Sequence, residues 1–167
     1  MKYHFKLLLS AGILAASMGI QTVQAAKTSI TIALQLEPPH LDPTSAAAGA
    51  IDSVLYSNVF EGLTRFASDG AVIPGLAKSW EISGDGKEYI FYLNSSVTFH
   101  DGSTMDASDV KFSLDRARAE DSTNAQKALF SGIENVEVLS SDKVKVTLAS
   151  PNGSFLFNMA WGDAVIV

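Results

Sequence analysis

The chain has 167 residues, enough for one ordinary domain, and its 47% hydrophobic and 18% charged content is globular rather than disordered. Lys and Arg number 12 against 18 Asp and Glu, a formal charge of −6, which argues against nucleic acid as a partner because phosphate binding draws on clustered cations. The lack of cysteine excludes disulfides, thiolate metal sites and cysteine nucleophiles.

In chain order, Lys2, His4 and Lys6 form a short basic head, and Leu7 to Ile20 follow without a charge. Val23-Gln24-Ala25 then offers the small residues that signal peptidase accepts, so cleavage is expected after Ala25. A run of about 14 residues spans only ~21 Å as a helix, short of the ~30 Å hydrocarbon core, which favours a cleaved signal over a membrane anchor. Removing residues 1–25 takes away Lys2 and Lys6, leaving 10 cations against 18 carboxylates, a net charge of −8. With no cysteine to carry a lipid, the mature product is expected to be soluble in an exported compartment.

Thr28 to Leu36 reads as a strand, with Ile30, Ile32, Leu34 and Leu36 alternating against polar or small residues, and Glu37-Pro38-Pro39 stops it. After Leu41-Asp42-Pro43 and the small residues up to Ala50, Ile51, Val54, Leu55, Val59 and Leu63 recur at helical spacing, with Gly62 near the expected break. Arg65 to Ile73 reads as a hairpin turning at Ser68-Asp69-Gly70, and Pro74 to Trp80 as a compact turn or short helix. A strand through Trp80-Glu81-Ile82 is expected to turn at Ser83-Gly84-Asp85-Gly86 and return over Tyr89 to Leu93, with Val97-Thr98-Phe99 continuing the sheet. Asp106 with Asp109 marks a helix N-terminus, and Val110, Leu114 and Ala117 would face inward. Val136 to Leu139 and Val144 to Leu148 pair as a last hairpin across Ser140-Ser141-Asp142. Asn158 to Val167 is apolar but for Asp163, which implies either a buried terminal strand or a truncated chain, truncation being the favoured expectation. Asn94-Ser95-Ser96 and Asn152-Gly153-Ser154 match the glycosylation sequon but read as turns.

Catalytic patterns are sparse. His4, His40 and His100 are far apart, and no HExxH, phosphate loop or GxSxG elbow is present. A secreted hydrolase built on His100, Asp101 and a serine would need neighbouring residues that point to opposite faces of a strand to form a relay. Trp80, Tyr89, Phe91 and Phe99 fit a core better than a stacking platform. No metal, cofactor or catalytic residue is expected.

Several blocks in one order resemble family 5 bacterial extracellular solute-binding proteins, the peptide/nickel receptors of ABC importers. They are Leu41-Asp42-Pro43, Asn58-Val59-Phe60-Glu61-Gly62-Leu63, Pro74-Gly75-Leu76-Ala77-Lys78-Ser79-Trp80, Val97-Thr98-Phe99-His100-Asp101-Gly102 and Ala107-Ser108-Asp109-Val110. Asn94-Ser95-Ser96 and Met105-Asp106 depart from the usual pattern. The resemblance implies an α/β, two-lobed periplasmic binding protein-like fold of type II, in which only the N-terminal part of lobe I is present, with a mixed sheet and flanking helices. It divides the chain into a signal peptide over 1–25, a first strand segment of lobe I over 26–44, and the smaller subdomain of lobe I over 45–167. It also implies a non-enzymatic receptor for di- or oligopeptides, with nickel-chelate, haem, opine or sugar as alternative ligands; a fragment without function of its own is the other alternative. Its partners would be the solute and an ABC importer whose permease and ATPase are separate chains, the only link to the membrane. By the resemblance, Glu37 matches an acidic position that meets a peptide's α-amino group through a charge-assisted bond. The carbonyls of Gln35 and Leu36 would bond an extended peptide backbone, and the Ser45 to Ile51 loop, through small residues such as Ala48 and Ala50, would leave room for the ligand.

Overall fold

The computed structural model describes residues 28–46 and 48–167. The described residues from Leu34 to Val167 form one compact unit. The export signal read in residues 1–25 lies outside the described residues. The strand expected over Thr28 to Leu36 does not form: these residues are irregular and join neither sheet. Alternation stabilises a strand only where a neighbour takes the backbone groups and a core covers one face. Ile30, Ile32, Leu34 and Leu36 are instead all exposed, and no described backbone hydrogen bond involves the segment.

Helix α1 spans Gly49–Leu55 and buries Ile51 and Leu55. The apolar stripe continues beyond the helix: Ser57 takes a left-handed φ of 56°, and the amides of Asn58, Val59 and Phe60 all turn back onto the Leu55 carbonyl. The helix thus ends well before Gly62, and Val59 is exposed. Strands β1 (Thr64–Phe66) and β2 (Val72–Pro74) form the expected hairpin, pairing Thr64 with Pro74 and Phe66 with Val72. Gly70, at φ 84°, supplies the turn conformation that a side chain would resist.

The segment read as a turn or short helix after Pro74 is extended, because strand β3 already starts at Ala77 and runs to Ile82. Strand β4 (Glu88–Leu93) returns from the Ser83–Gly86 turn, where the Ser83 hydroxyl accepts from the amides of Lys87 and Glu88. Val97 to Phe99 does not extend the sheet; Thr98 makes only an isolated bridge to Thr104 across the Asp101-Gly102 turn. Helix α2 (Ala107–Arg118) starts at a complete capping box, in which Asp106 accepts from the Ser108 amide and Asp109 accepts from the Asp106 amide. Strands β5 (Ile133–Ser140) and β6 (Lys143–Leu148) form the last hairpin, with Val136 opposite Val146 and Val138 opposite Val144.

The larger sheet has the order β3-β4-β6-β5, and every pair in it is antiparallel, so the sheet expected to be mixed has no parallel pair among the described residues. β6 inserts between β4 and β5, a placement made possible by the long passage from β4 through α2. Strict alternation then turns Tyr89, Phe91 and Leu93 of β4 and Val144, Val146 and Leu148 of β6 toward one core. Val110, Leu114 and Ala117 of α2 cover it, and Trp80 and Phe99 pack at its margin, so the aromatic residues serve the core as expected.

Apart from exposed Trp161, the apolar stretch at residues 158–167 is packed. It follows the four-residue helix α3 (Phe155–Asn158), and Val165 bridges Gly62 while the Ile166 amide donates to the Glu61 carbonyl. Three backbone segments meet here. A Cβ on Gly62 would lie 2.8 Å from the Met159 carbonyl oxygen, and one on Gly75 would lie 2.6 Å from the Gly62 carbonyl oxygen. Gly62 is therefore required by close approach of main chains, not as a helix terminator.

Candidate functional site

Gln35, Leu36 and Glu37 lie together on an exposed, irregular stretch before Pro38 and Pro39. Their backbone groups take part in no hydrogen bond among the described residues. Just beyond, Asp42 fixes the chain: its Oδ1 accepts from the Thr44 amide at 2.9 Å and from the Thr44 hydroxyl at 2.7 Å. Burial pushes the Asp42 carboxyl up, but the two Thr44 bonds, a hydrogen bond from Ser45 and the Arg116 charge together hold the group below its usual range. Ala48 is the N-cap residue of α1 and Ala50 lies in its first turn, both half-buried. The loop expected over Ser45 to Ile51 is thus helical from Gly49. No described hydrogen bond or strand pairing joins Gln35–Glu37 to Ala48 or Ala50.

The structure adds a group of residues that the sequence did not single out. Phe66, Phe157 and Trp161 form an aromatic cluster with ring centroids 4.8 Å apart for Phe66–Phe157, 6.5 Å for Phe66–Trp161 and 6.2 Å for Phe157–Trp161. The tilted and edge-on arrangement is the favourable one for rings. Phe157 is nevertheless 44% exposed and Trp161 39% exposed. A contiguous exposed aromatic group is more informative than scattered apolar residues. The four-residue spacing of Phe157 and Trp161 was visible in the sequence; their meeting with Phe66 across the chain was not.

Beside Trp161, the Asp52 carboxylate of α1 sits so close to Gly162 that a Cβ there would overlap it. The next residue, Asp163, is 4% exposed, and its Oδ1 has no hydrogen-bond donor among the described residues. Burial, then the Asp52 charge, pushes the Asp163 carboxyl up to about 6, and burial raises Asp52 as well. The Asp163 carbonyl is held by the Asn124 side chain at 2.9 Å. A cavity of about 200 Å³ adjoins this point, lined among others by Thr44, Ser113, Asn124, Asp163 and Val167. It is below the ~300–1,000 Å³ typical of sites that enclose drug-sized ligands, so a peptide does not fit inside it.

The catalytic alternative gains no geometry. His100 is exposed, while Asp101 is occupied by its own turn, accepting from the Ser103 hydroxyl at 2.6 Å and the Ser103 amide at 2.9 Å, bonds that lower its pKa. Among the described residues, no group of three or more His, Asp or Glu side chains is placed to hold a metal ion.

What remains is a small antiparallel layer carrying an exposed backbone arm and an exposed aromatic patch. The description "Bacterial extracellular solute-binding proteins, family 5 Middle" matches residues 71–166, more than half of the chain. The chain belongs to this family. Family 5 receptors similar to it include the glutathione-binding protein GsiB of Pectobacterium atrosepticum, 36% identical over 160 residues that cover 96% of this chain and 30% of that protein. The di/tripeptide-binding protein 1 of Pseudomonas aeruginosa is 29% identical over 89% of this chain and 31% of its own length. Among solved structures, PBP AgaA of A. tumefaciens R10, in complex with agropinic acid, superposes with a TM-score of 0.74 at 33% identity, covering 78% of this chain and 26% of that one. The chain thus has part of the periplasmic binding protein fold and spans less than a third of the length of these family members.

Proposed function

We propose that this chain contributes to a periplasmic receptor for di- and oligopeptides, which hands its solute to an ABC importer with separate permease and ATPase chains. Residues 1–25 act as the export signal, 26–44 as the first segment of lobe I and 45–167 as its smaller subdomain. The observation that carries the reading is the Gln35–Glu37 arm, with two carbonyls unbonded among the described residues and an exposed carboxylate, in a chain similar to glutathione- and di/tripeptide-binding proteins. A peptide's amides would donate to Gln35 and Leu36 in strand fashion, and its α-ammonium would meet Glu37. Ala48 and Ala50 would leave room at the start of α1, and the aromatic patch would take an apolar or aromatic side chain. Nothing in this scheme makes or breaks a covalent bond.

The test is a calorimetric titration of the chain with a tripeptide, its N-acetylated form, glutathione and a nickel–histidine chelate. Binding of the free tripeptide, lost on N-acetylation and weakened at least tenfold by Glu37→Gln, is the expected result. Binding of the nickel chelate alone, or equal binding of both peptide forms, contradicts the peptide reading.

A further inference from the structure

Asn152-Gly153 lies in the turn between β6 and α3, in a setting that the solute-binding reading does not use; Asn152 is half-buried and Gly153 exposed. The Asn152 carbonyl is pinned to the core, accepting from the Phe155 amide at 3.1 Å and from the Tyr89 hydroxyl at 3.2 Å. The Asn152 side chain folds back along its own backbone, its Oδ1 accepting from the Ser154 amide at 2.9 Å. The Gly153 N–H and the Asn152 Nδ2 take part in no hydrogen bond among the described residues. Three other turns place an acidic residue before glycine, and in each the glycine amide is engaged. Gly70 donates to the Ala67 carbonyl, Gly86 to that of Ser83 and Gly102 to that of Phe99, at 2.9–3.0 Å. Asn152 is the one asparagine of the sequence followed by glycine. Elsewhere the side-chain amide is held, at Asn58, Asn94 and Asn124, or the asparagine lies inside a strand or helix, at Asn135 and Asn158.

We propose that Asn152-Gly153 is a self-modification site, at which the folded chain converts asparagine to aspartate and isoaspartate without an enzyme. Base removes the Gly153 amide proton, and that nitrogen attacks Asn152 Cγ. The Ser154 amide already donates to the oxygen on which negative charge develops, at a distance suited to stabilising it. The Cγ–Nδ2 bond then breaks, ammonia leaves after taking up the proton, and a cyclic succinimide remains. Water adds to either ring carbonyl. Opening at Cγ gives aspartate; opening at the main-chain carbonyl gives isoaspartate, in which the chain runs through Cβ and Cγ. Both products add a negative charge, and isoaspartate also lengthens the turn. In it the carbonyl that receives Tyr89 and Phe155 becomes a pendant carboxylate, so the entry of α3 is no longer fixed. α3 carries Phe157 and leads to Trp161, and the aromatic patch shifts with it. The reaction is independent of which solute the receptor takes.

The test is incubation of the chain at pH 8 and at pH 9, followed by peptide mapping with mass spectrometry. Trp161 emission is read in parallel in a chain carrying Trp80→Phe, since these are the two tryptophans of the sequence. Loss of the Asn152 amide is expected, faster at the higher pH and yielding both products, while Asn58, Asn94, Asn124, Asn135 and Asn158 persist. Gly153→Ala should slow the loss roughly tenfold without changing Tm. Its Cβ hinders the attack, yet meets nothing within 4 Å, and the φ there is not left-handed. Trp161 emission should move in step with isoaspartate. An Asn152 that survives in the folded chain while it converts in the urea-unfolded one overturns the proposal, as does a Gly153→Ala chain that converts at the parent's rate. Unchanged Trp161 emission in the isoaspartyl fraction overturns the link to the aromatic patch.

Discussion

Substituting Gly75 by alanine tests whether the crossing of three main chains holds the fold together. The added Cβ would stand 2.6 Å from the Gly62 carbonyl oxygen and 3.2 Å from that of Leu63. Carbon–oxygen contacts settle at about 3.3 Å or more, so the segments must part by roughly 0.7 Å. Three hydrogen bonds cross this seam: Gly75 N–H to Leu63 O at 3.2 Å, Leu76 N–H to Gly62 O at 3.0 Å and Ala77 N–H to Leu63 O at 3.1 Å. A displacement of that size carries them beyond hydrogen-bonding distance. At about 1 kcal/mol for each bond the loss is about 3 kcal/mol. For a chain of this size that corresponds to roughly 10 °C in Tm. Gly84 is the control, because a Cβ there meets nothing within 4 Å and its φ is not left-handed. Gly84→Ala should change stability by no more than about 0.5 kcal/mol, or slightly increase it. Urea unfolding of both variants decides the matter. A Gly75→Ala chain within about 0.5 kcal/mol of the parent, or a Gly84→Ala chain equally damaged, refutes the close-approach argument.

Three further outcomes follow from the packing and the charges. Asp106→Ala removes the N-cap of α2 and should cost about 1 kcal/mol in urea unfolding, with a matching loss of helical signal. Phe91→Ala empties a fully buried position between Trp80 and Phe155 and should cost about 3–5 kcal/mol. Asp163→Asn should act in a pH-dependent way. The folded-state pKa is raised from 3.8 to about 6, so the parent loses stability as pH rises through that interval, up to about 3 kcal/mol when ionisation is complete. The variant should therefore gain on the parent above pH 6 and not below pH 4, as read by thermal unfolding at a series of pH values.

Legibility in the sequence followed the range of the forces involved. The β1–β2 and β5–β6 hairpins, the Ser83–Gly86 turn and the α2 capping box were all readable, because each depends on residues within a few positions of one another. Thr28 to Leu36 misled because alternation registers the capacity for pairing and says nothing of a partner. Ala77 to Ser79 was missed as strand because its neighbour, β4, lies across a turn and a register shift. Gly62 stood out as a helix break and Gly75 only as part of one block; the crowding that forbids a side chain at either needs three distant segments brought together. The same limit applies to the site. Exposure of Glu37 was foreseeable beside two prolines, whereas the Asp52–Asp163 pair and the Phe66–Phe157–Trp161 cluster join positions about a hundred residues apart.

The central claim, that this surface receives a peptide by its amino end, is tested most directly by nuclear magnetic resonance shift mapping on the isotope-labelled chain. An unmodified tripeptide should move the amide signals of Gln35, Leu36, Glu37, Ala48 and Ala50 and the indole signal of Trp161, and the N-acetylated tripeptide should leave them in place. Shifts confined to other parts of the chain, or identical shifts with both peptides, would contradict it.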